Sequence, residues 1–408
     1  MLSFSPPDIT QAEIDEVVDT LQSGWITTGP KTKRLEGELA DFCGTPRVAC
    51  LASATAALEC ALRLLGVGPG DEVITSAYTY TASASPICHV GATPVLVDIA
   101  PGSYEMDPAA VAAAVTERTR AVIPVDIAGR MADYRGLREA LAGARVPWRP
   151  ANERQEAVGH LPLVADGAHS LGAVDRGLRS GQAADLTTFS FHAVKNLTTA
   201  EGGALTWRGG LFDDDGVYKD LMLMSLHGQS KDALAKDKGG SWEYDIAFPG
   251  WKCNMTDIQA ALGLAQLRRY PGLLERRHGI IALYREALAD AGVTLLQHSA
   301  GDPAGEGFRS SGHLMIVNLD GRSRAFRDEL IERLAAAGVP SNVHYKPLPL
   351  LSAYRDLGFE GADFPEAVAR FENEITLPLH TLLTDGDVHF IAEEFSRQKR
   401  QMESEGLR

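Results

Sequence analysis

Cysteine is scarce in this 408-residue chain, and the five present (Cys43, Cys50, Cys60, Cys88 and Cys253) form no CxxC pair. An odd count without that spacing argues against a disulfide framework or a zinc centre and fits a reducing compartment. Such thiols are mostly small buried hydrophobes. Long apolar runs are missing: no stretch approaches the roughly 18 residues of a membrane span. Residues 1–10 lack a basic segment followed by an apolar one, so no signal peptide is expected and a cytoplasmic location is. Basic residues are outnumbered, 39 Lys and Arg against 54 Asp and Glu, giving a formal charge of −15. Nucleic acid would be repelled by such a surface. A local cationic pocket for one phosphate stays allowed, and solubility is reason enough for the charge. No internal repeat or low-complexity tract is visible.

What is present is an ordinary globular composition, 45% hydrophobic and 23% charged. The length suits one large α/β domain with a smaller companion and needs no disulfide or metal staple. Thr10 and Glu13 form a capping box, and Ile14, Val17, Val18 and Leu21 follow at helical spacing, predicting one apolar face that ends at Ser23-Gly24. Gly24–Lys31 reads as a loop. From residue 47, β-type runs alternate with helical patterns: Arg47–Leu51, Glu72–Thr75, Pro94–Asp98, Ala121–Asp126, Leu163–Asp166, Leu186–Phe191 and Ala204–Trp207. That alternation predicts a mainly parallel sheet covered on both faces, with ligands beyond the C-terminal strand ends. The stretch around 144–158 reads as an inserted surface loop. After Asp257 a helix is expected to kink or break at Pro271-Gly272. Leu314–Leu319 reads as a strand, and Ala325–Ala337 and the segment after Thr384 as helices. The division is expected at a large domain, residues 1–264, and a small one, residues 265–408.

Four motifs follow strand ends. In Ser190-Phe191-His192-Ala193-Val194-Lys195-Asn196 a lysine held past a strand can be buried yet reachable, and burial lowers its pKa, making the amine a nucleophile and base. Leu163–Asp166 ends an apolar strand in a carboxylate, with His169 three residues on; pyridoxal-phosphate (PLP) chemistry needs an anion beside the pyridine nitrogen. At Ser53–Ala57 a strand turns directly into a helix, whose N-terminus favours a phosphate. Tyr78 and Tyr80 follow another strand, and a planar cofactor stacks on such a ring. Each motif has a plain alternative: a surface lysine, a strand-end cap, an ordinary N-cap, core packing. The ordered set of phosphate cradle, stacking ring, pyridinium partner and amine is what PLP chemistry requires.

At these residues the chain resembles the sugar aminotransferases often called DegT/DnrJ, within the aspartate-aminotransferase fold type. The marks are Ser23–Lys31 (SGWITTGPK), Ser53–Ala56 (SATA), Gly70–Ile74 (GDEVI), Gly91–Asp98 (GATPVLVD), Asp166–Gly172, Ser190–Gly203 (SFHAVKNLTTAEGG), Asn254–Asp257 (NMTD), Val343–Pro347 (VHYKP) and Leu377–His380 (LPLH). They cover nearly the whole chain. The resemblance implies a PLP-transferase fold of type I: a large domain with a mainly parallel seven-stranded sheet between helices, and a smaller α+β C-terminal domain. It implies pyridoxal 5'-phosphate as cofactor, Lys195 as its Schiff-base partner and proton shuttle, and Asp166 at the pyridinium nitrogen. Tyr80 would stack on the ring, with Tyr78 the second choice, and His169 would lie near the cofactor oxygen. Ala54, Thr55 and Ser190 would bind the phosphate. Asn254 would reach a neighbouring subunit's phosphate, implying a homodimer with shared sites. Trp25, Ile26, Thr27 and His192 would contact substrate, and no metal is expected. The implied reaction carries an amino group from L-glutamate to a nucleotide-linked keto-sugar, closest to the branch acting on UDP-linked 4-keto sugars. Other readings are a 3-keto-sugar or aminocyclitol aminotransferase, a PLP-dependent sugar dehydratase, in whose branch histidine replaces the lysine, and a non-catalytic regulatory relative.

Overall fold

The computed structural model describes residues 2–230 and 243–407. Helix α1 (Gln11–Ser23) starts at the expected capping box: the Thr10 side chain caps it while Glu13 reaches back to the Thr10 N–H at 2.6 Å. Its buried face is not the expected one. Ile14, Val18 and Leu21 are about half exposed, whereas Glu13 and Thr20 are buried. The helix docks through charge, because Glu13 accepts from Gln266 at 2.9 Å and Arg269 at 2.8 Å. Helix α2 (Pro30–Cys43) begins with proline at its first turn, so the expected loop ends two residues early.

The large domain is a seven-stranded sheet: β1 (Val48–Leu51), β2 (Glu72–Ser76), β3 (Thr93–Val97), β4 (Thr119–Ile123), β5 (Val164–Asp166), β6 (Leu186–Ser190) and β7 (Gly203–Trp207). Parallel bridges Val122↔Leu163 and Val125↔Asp166 join its two halves into the order β3-β2-β4-β5-β6-β7-β1. Only β7 runs against its neighbours. The central strands are buried along almost their whole length, as cover on both faces demands. Helix α3 (Ala54–Leu64) packs Leu58, Ala61 and Leu62 beneath this sheet. Three cysteines are buried, but Cys88 is exposed and Cys253 half-buried.

Two further expectations are corrected. Helix α4 (Asp257–Ala287) runs unbroken through Pro271. An interior proline costs about 3 kcal/mol, but Leu264, Leu267, Tyr270 and Leu273 anchor the first half in the large-domain core. Ile280, Ile281 and Tyr284 anchor the second half in the C-terminal core. Packing on both sides of the proline outweighs its local cost. The helix thus crosses the expected division at 264/265. Second, the 144–158 stretch is not all loop. Glu153–Val158 is helical, capped by Asn152, and Asn152 and Gln155 both donate to Leu65 O at 2.9 Å, closing the C-terminal end of α3. Ser299–Ala300 and Phe308–Arg309 form short strands that join a large-domain hairpin at Val174–Asp175. The C-terminal region is α+β: Thr294–Leu295, Met315–Asn318 and Glu374–Leu377 make an antiparallel sheet, covered by helices including Arg324–Ala336 and Asp385–Ser404.

Candidate active site

A cavity of about 330 Å³ opens at the C-terminal ends of the sheet strands. Eight predicted site residues line it: Ala54, Thr55, Tyr80, Asp166, His169, Ser190, His192 and Lys195. Strand β6 ends at Ser190, and a turn with Lys195 N–H donating to His192 O at 2.9 Å folds the lysine back over the strand end. Lys195 is half-buried, and that burial depresses its pKa to about 8 although Asp166 pulls it upward. Asp166, at the end of β5, accepts from Ser83 Oγ at 2.6 Å and Ala168 N at 3.1 Å. Burial holds His169 well below the ordinary imidazole pKa, with Lys195 adding to the effect, so its ring is neutral. His169 Nε2 lies 3.2 Å from Tyr345 Oη.

The floor of the cavity is the N-terminus of α3. Ser53 caps the helix by accepting from Ala56 N at 3.1 Å. The Ala54 and Thr55 amides donate to no protein acceptor among the described residues. Two free amides at a helix start, with the Thr55 and Ser190 hydroxyls beside them, suit a phosphate. Gly203 makes the approach possible: a Cβ there would stand 2.3 Å from Ala54 N.

Tyr80 is 59% exposed with its ring at the cavity, 5.9 Å from that of Tyr345, so it is free to stack on a planar ligand. Tyr78 is not: it is fully buried, edge-on to Tyr104, and donates to His344 O at 2.8 Å.

Trp25, Ile26, Thr27 and Asn254 do not line this cavity. They gather elsewhere on the same chain. Asn254 Nδ2 donates to Thr28 Oγ1 at 2.6 Å, and Asp257 N to Thr27 O at 3.1 Å. Asp257 organises the loop, accepting from Gly29 N, Lys31 N, Thr32 N and Thr32 Oγ1 at 2.7–3.0 Å. Sequence reasoning missed Ser83, His313, His344 and Tyr345 as neighbours of the site. They are far along the chain from the residues they support, and only the VHYKP string at 343–347, one of the marks of the family resemblance, pointed toward any of them.

The donor set fits PLP: two unbonded amides and the Thr55 and Ser190 hydroxyls for a phosphate, a free ring face, a buried carboxylate and a lysine of lowered pKa. Sheet topology and this set together define a PLP-dependent enzyme of fold type I. A match to the DegT/DnrJ/EryC1/StrS aminotransferase family spans residues 7–396, and the chain belongs to that family. Spore coat polysaccharide biosynthesis protein SpsC of Bacillus subtilis (strain 168) is 37% identical over 399 residues, 96% of this chain and 95% of that protein. Spr1654 of Streptococcus pneumoniae, a candidate sugar aminotransferase solved in PMP, PLP and apo forms, is 53% identical in its PMP form. That structure superposes with a TM-score of 0.94, covering 98% of this chain and 100% of that one. Helicobacter pylori PseC, an aminotransferase of pseudoaminic acid biosynthesis, is 26% identical with a TM-score of 0.84, covering 98% and 99%. No helix among the described residues is long and apolar enough to cross a membrane.

Proposed function

We propose that this transaminase moves an amino group from L-glutamate to the keto group of a nucleotide-linked sugar, a 4-keto deoxysugar being the best fit, in the synthesis of a surface polysaccharide or related glycan. The carrying observation is Lys195 at a strand end, with its pKa near 8, in one cavity with Asp166 and the α3 N-terminus. The sugar assignment draws on the named roles of SpsC, in spore coat polysaccharide biosynthesis, and of PseC, in pseudoaminic acid biosynthesis.

PLP, when bound, supplies an electron-withdrawing ring that stabilises negative charge on the carbon losing its proton. Lys195 Nζ takes that proton and returns it, which its lowered pKa permits near neutral pH. Asp166, oriented by Ser83 and the Ala168 amide, would pair with the ring nitrogen. Ala54 N, Thr55 and Ser190 would bind the phosphate, Tyr80 would cover one ring face, and His169, a neutral donor or acceptor, would serve the ring oxygen. His192 stands at the mouth, 3.6 Å from Glu201, where it meets substrate. Trp25, Ile26, Thr27 and Asn254 serve the site of a second copy in a cytoplasmic homodimer. Their clustering outside their own chain's cavity supports this.

The test is a visible spectrum of the purified protein before and after L-glutamate, beside Lys195→Ala, followed by mass analysis of nucleotide-linked keto-sugars. A yellow band bleached by glutamate, then a sugar that gains an amine, is expected. Retained turnover in Lys195→Ala overturns the reading.

A further inference from the structure

Asp166 is held by a side chain that no motif announced. Ser83 is fully buried and donates to Asp166 Oδ2 at 2.6 Å. Thr79, equally buried, lies with its Oγ1 2.7 Å from Ser83 Oγ. Proton counting fixes the direction of this chain. A carboxylate only accepts, so the single Ser83 proton goes to Asp166, and Thr79 must donate to the Ser83 lone pair. Linked hydroxyls polarise one another, which strengthens the terminal bond to a charged acceptor.

The two hydroxyls also sit on the turn that carries Tyr80. Ser83 N donates to Tyr80 O at 3.1 Å, and Ala84 N to Thr81 O at 3.0 Å. The segment between β2 and the next helix therefore sets both the stacking ring and the carboxylate. The Ala168 amide occupies Oδ1 from the other side at 3.1 Å, so the carboxylate plane is fixed at both oxygens.

We propose that Thr79 and Ser83 are positioning residues, a two-hydroxyl relay that orients Asp166 toward the ring nitrogen of PLP. The proposal rests on the reading of Asp166 as the partner of that nitrogen. A buried serine that merely filled space would not be joined by a second hydroxyl in line with the carboxylate.

The experiment uses the full chain as Ser83→Ala, Thr79→Val, their double variant and Asp166→Asn. PLP affinity of the apo-protein is measured, together with the ¹⁵N shift of the bound cofactor's labelled ring nitrogen and kcat and KM for L-glutamate. Loss of a charge-assisted bond predicts that Ser83→Ala weakens PLP binding about ten- to a hundredfold. It should move the ring-nitrogen shift toward the unprotonated value and lower kcat more than it alters KM. Thr79→Val acts in the same direction but less, and the double variant is no worse than Ser83→Ala, because the two hydroxyls act in series. Wild-type affinity and shift in Ser83→Ala, or losses that simply add in the double variant, overturn the relay. Should Ser83→Ala fail to fold, Thr79→Val is judged by the same affinity and shift, wild-type values again overturning it. Asp166→Asn separates the two claims. If it alone disturbs the shift, only the relay falls; if it leaves the shift unmoved, the assignment of Asp166 falls first.

Discussion

His313 Nδ1 lies 2.9 Å from Asn196 Oδ1, tying the residue beside Lys195 to one 117 positions further along the chain. An amide oxygen only accepts, so Nδ1 carries the proton. Asn196 Nδ2 in turn donates to Ser311 O at 2.9 Å, and the Ser311 hydroxyl donates to His169 O. The His313 and His169 rings lie 4.2 Å apart. Segment 311–313 thus clamps the Lys195 loop and the His169 loop together. His313→Ala leaves a buried acceptor unpaired, and a loss of about 1–3 kcal/mol in urea unfolding is expected. A fall in kcat should accompany it, and His313→Gln, which restores a donor, should recover part of both. A double-mutant cycle with Asn196→Ala checks the pair; losses that add would show the two residues to be energetically independent.

Lys195 gives a pH prediction with a definite sign. Burial brings its pKa down from 10.5 to about 8, and the negative charge of Asp166 opposes that fall. Only the neutral amine condenses with PLP. Stopped-flow capture of PLP by the apo-protein should therefore speed up with rising pH and level off above about 8. Removing the opposing charge in Asp166→Asn should move the midpoint lower. A midpoint near that of a free lysine would contradict the buried setting.

Much of this was legible in the residues because strand runs and strand-end motifs are local signals. The seven strands come where apolar runs were read, and Lys195, Asp166 and the Ser53–Thr55 turn meet because all follow strand ends of one sheet. What escaped is non-local. The periodicity of Ile14, Val18 and Leu21 reports an apolar stripe but not whether anything covers it, and α1 docks instead by Glu13 on Arg269. Pro271 reads as a helix breaker until the cores on either side of it are known. Ser83 and His313 carry no local pattern at all, being defined by partners 83 and 117 residues away.

Glu374 links stability to pH. It is fully buried in the C-terminal sheet and accepts from His344 N at 2.9 Å and from the Thr376 hydroxyl. Burial raises its pKa from 4.5 to about 8 despite those bonds. A carboxyl raised in the folded state favours folding below its unfolded pKa, and this contribution fades as pH climbs through the folded value. Stability should therefore fall between about pH 4.5 and pH 8, with a slope of at most about 1.4 kcal/mol per pH unit from this group. Asp126, raised to about 7 by burial, acts in the same sense. Urea unfolding across this window should show a shallower slope in Glu374→Gln than in the wild type. Parallel slopes would mean that Glu374 does not bind its proton in this range.

Subunit sharing can be tested by complementation. Asn254 and the Trp25–Thr27 loop are held together through Thr28 and Asp257, away from the cavity of their own chain. If they complete the site of a second copy, Lys195→Ala and Asn254→Ala damage opposite halves of each shared site. A mixed dimer then contains one site with both defects and one with neither. Random exchange between equal amounts of the two variants makes half the dimers mixed, so about one quarter of wild-type activity should return. Each variant alone should be far weaker, Lys195→Ala having none. If Asn254 instead serves its own chain, every site in the mixture carries one defect. Activity then never exceeds that of the Asn254→Ala protein present, and the shared-site reading fails even if the chain is a dimer.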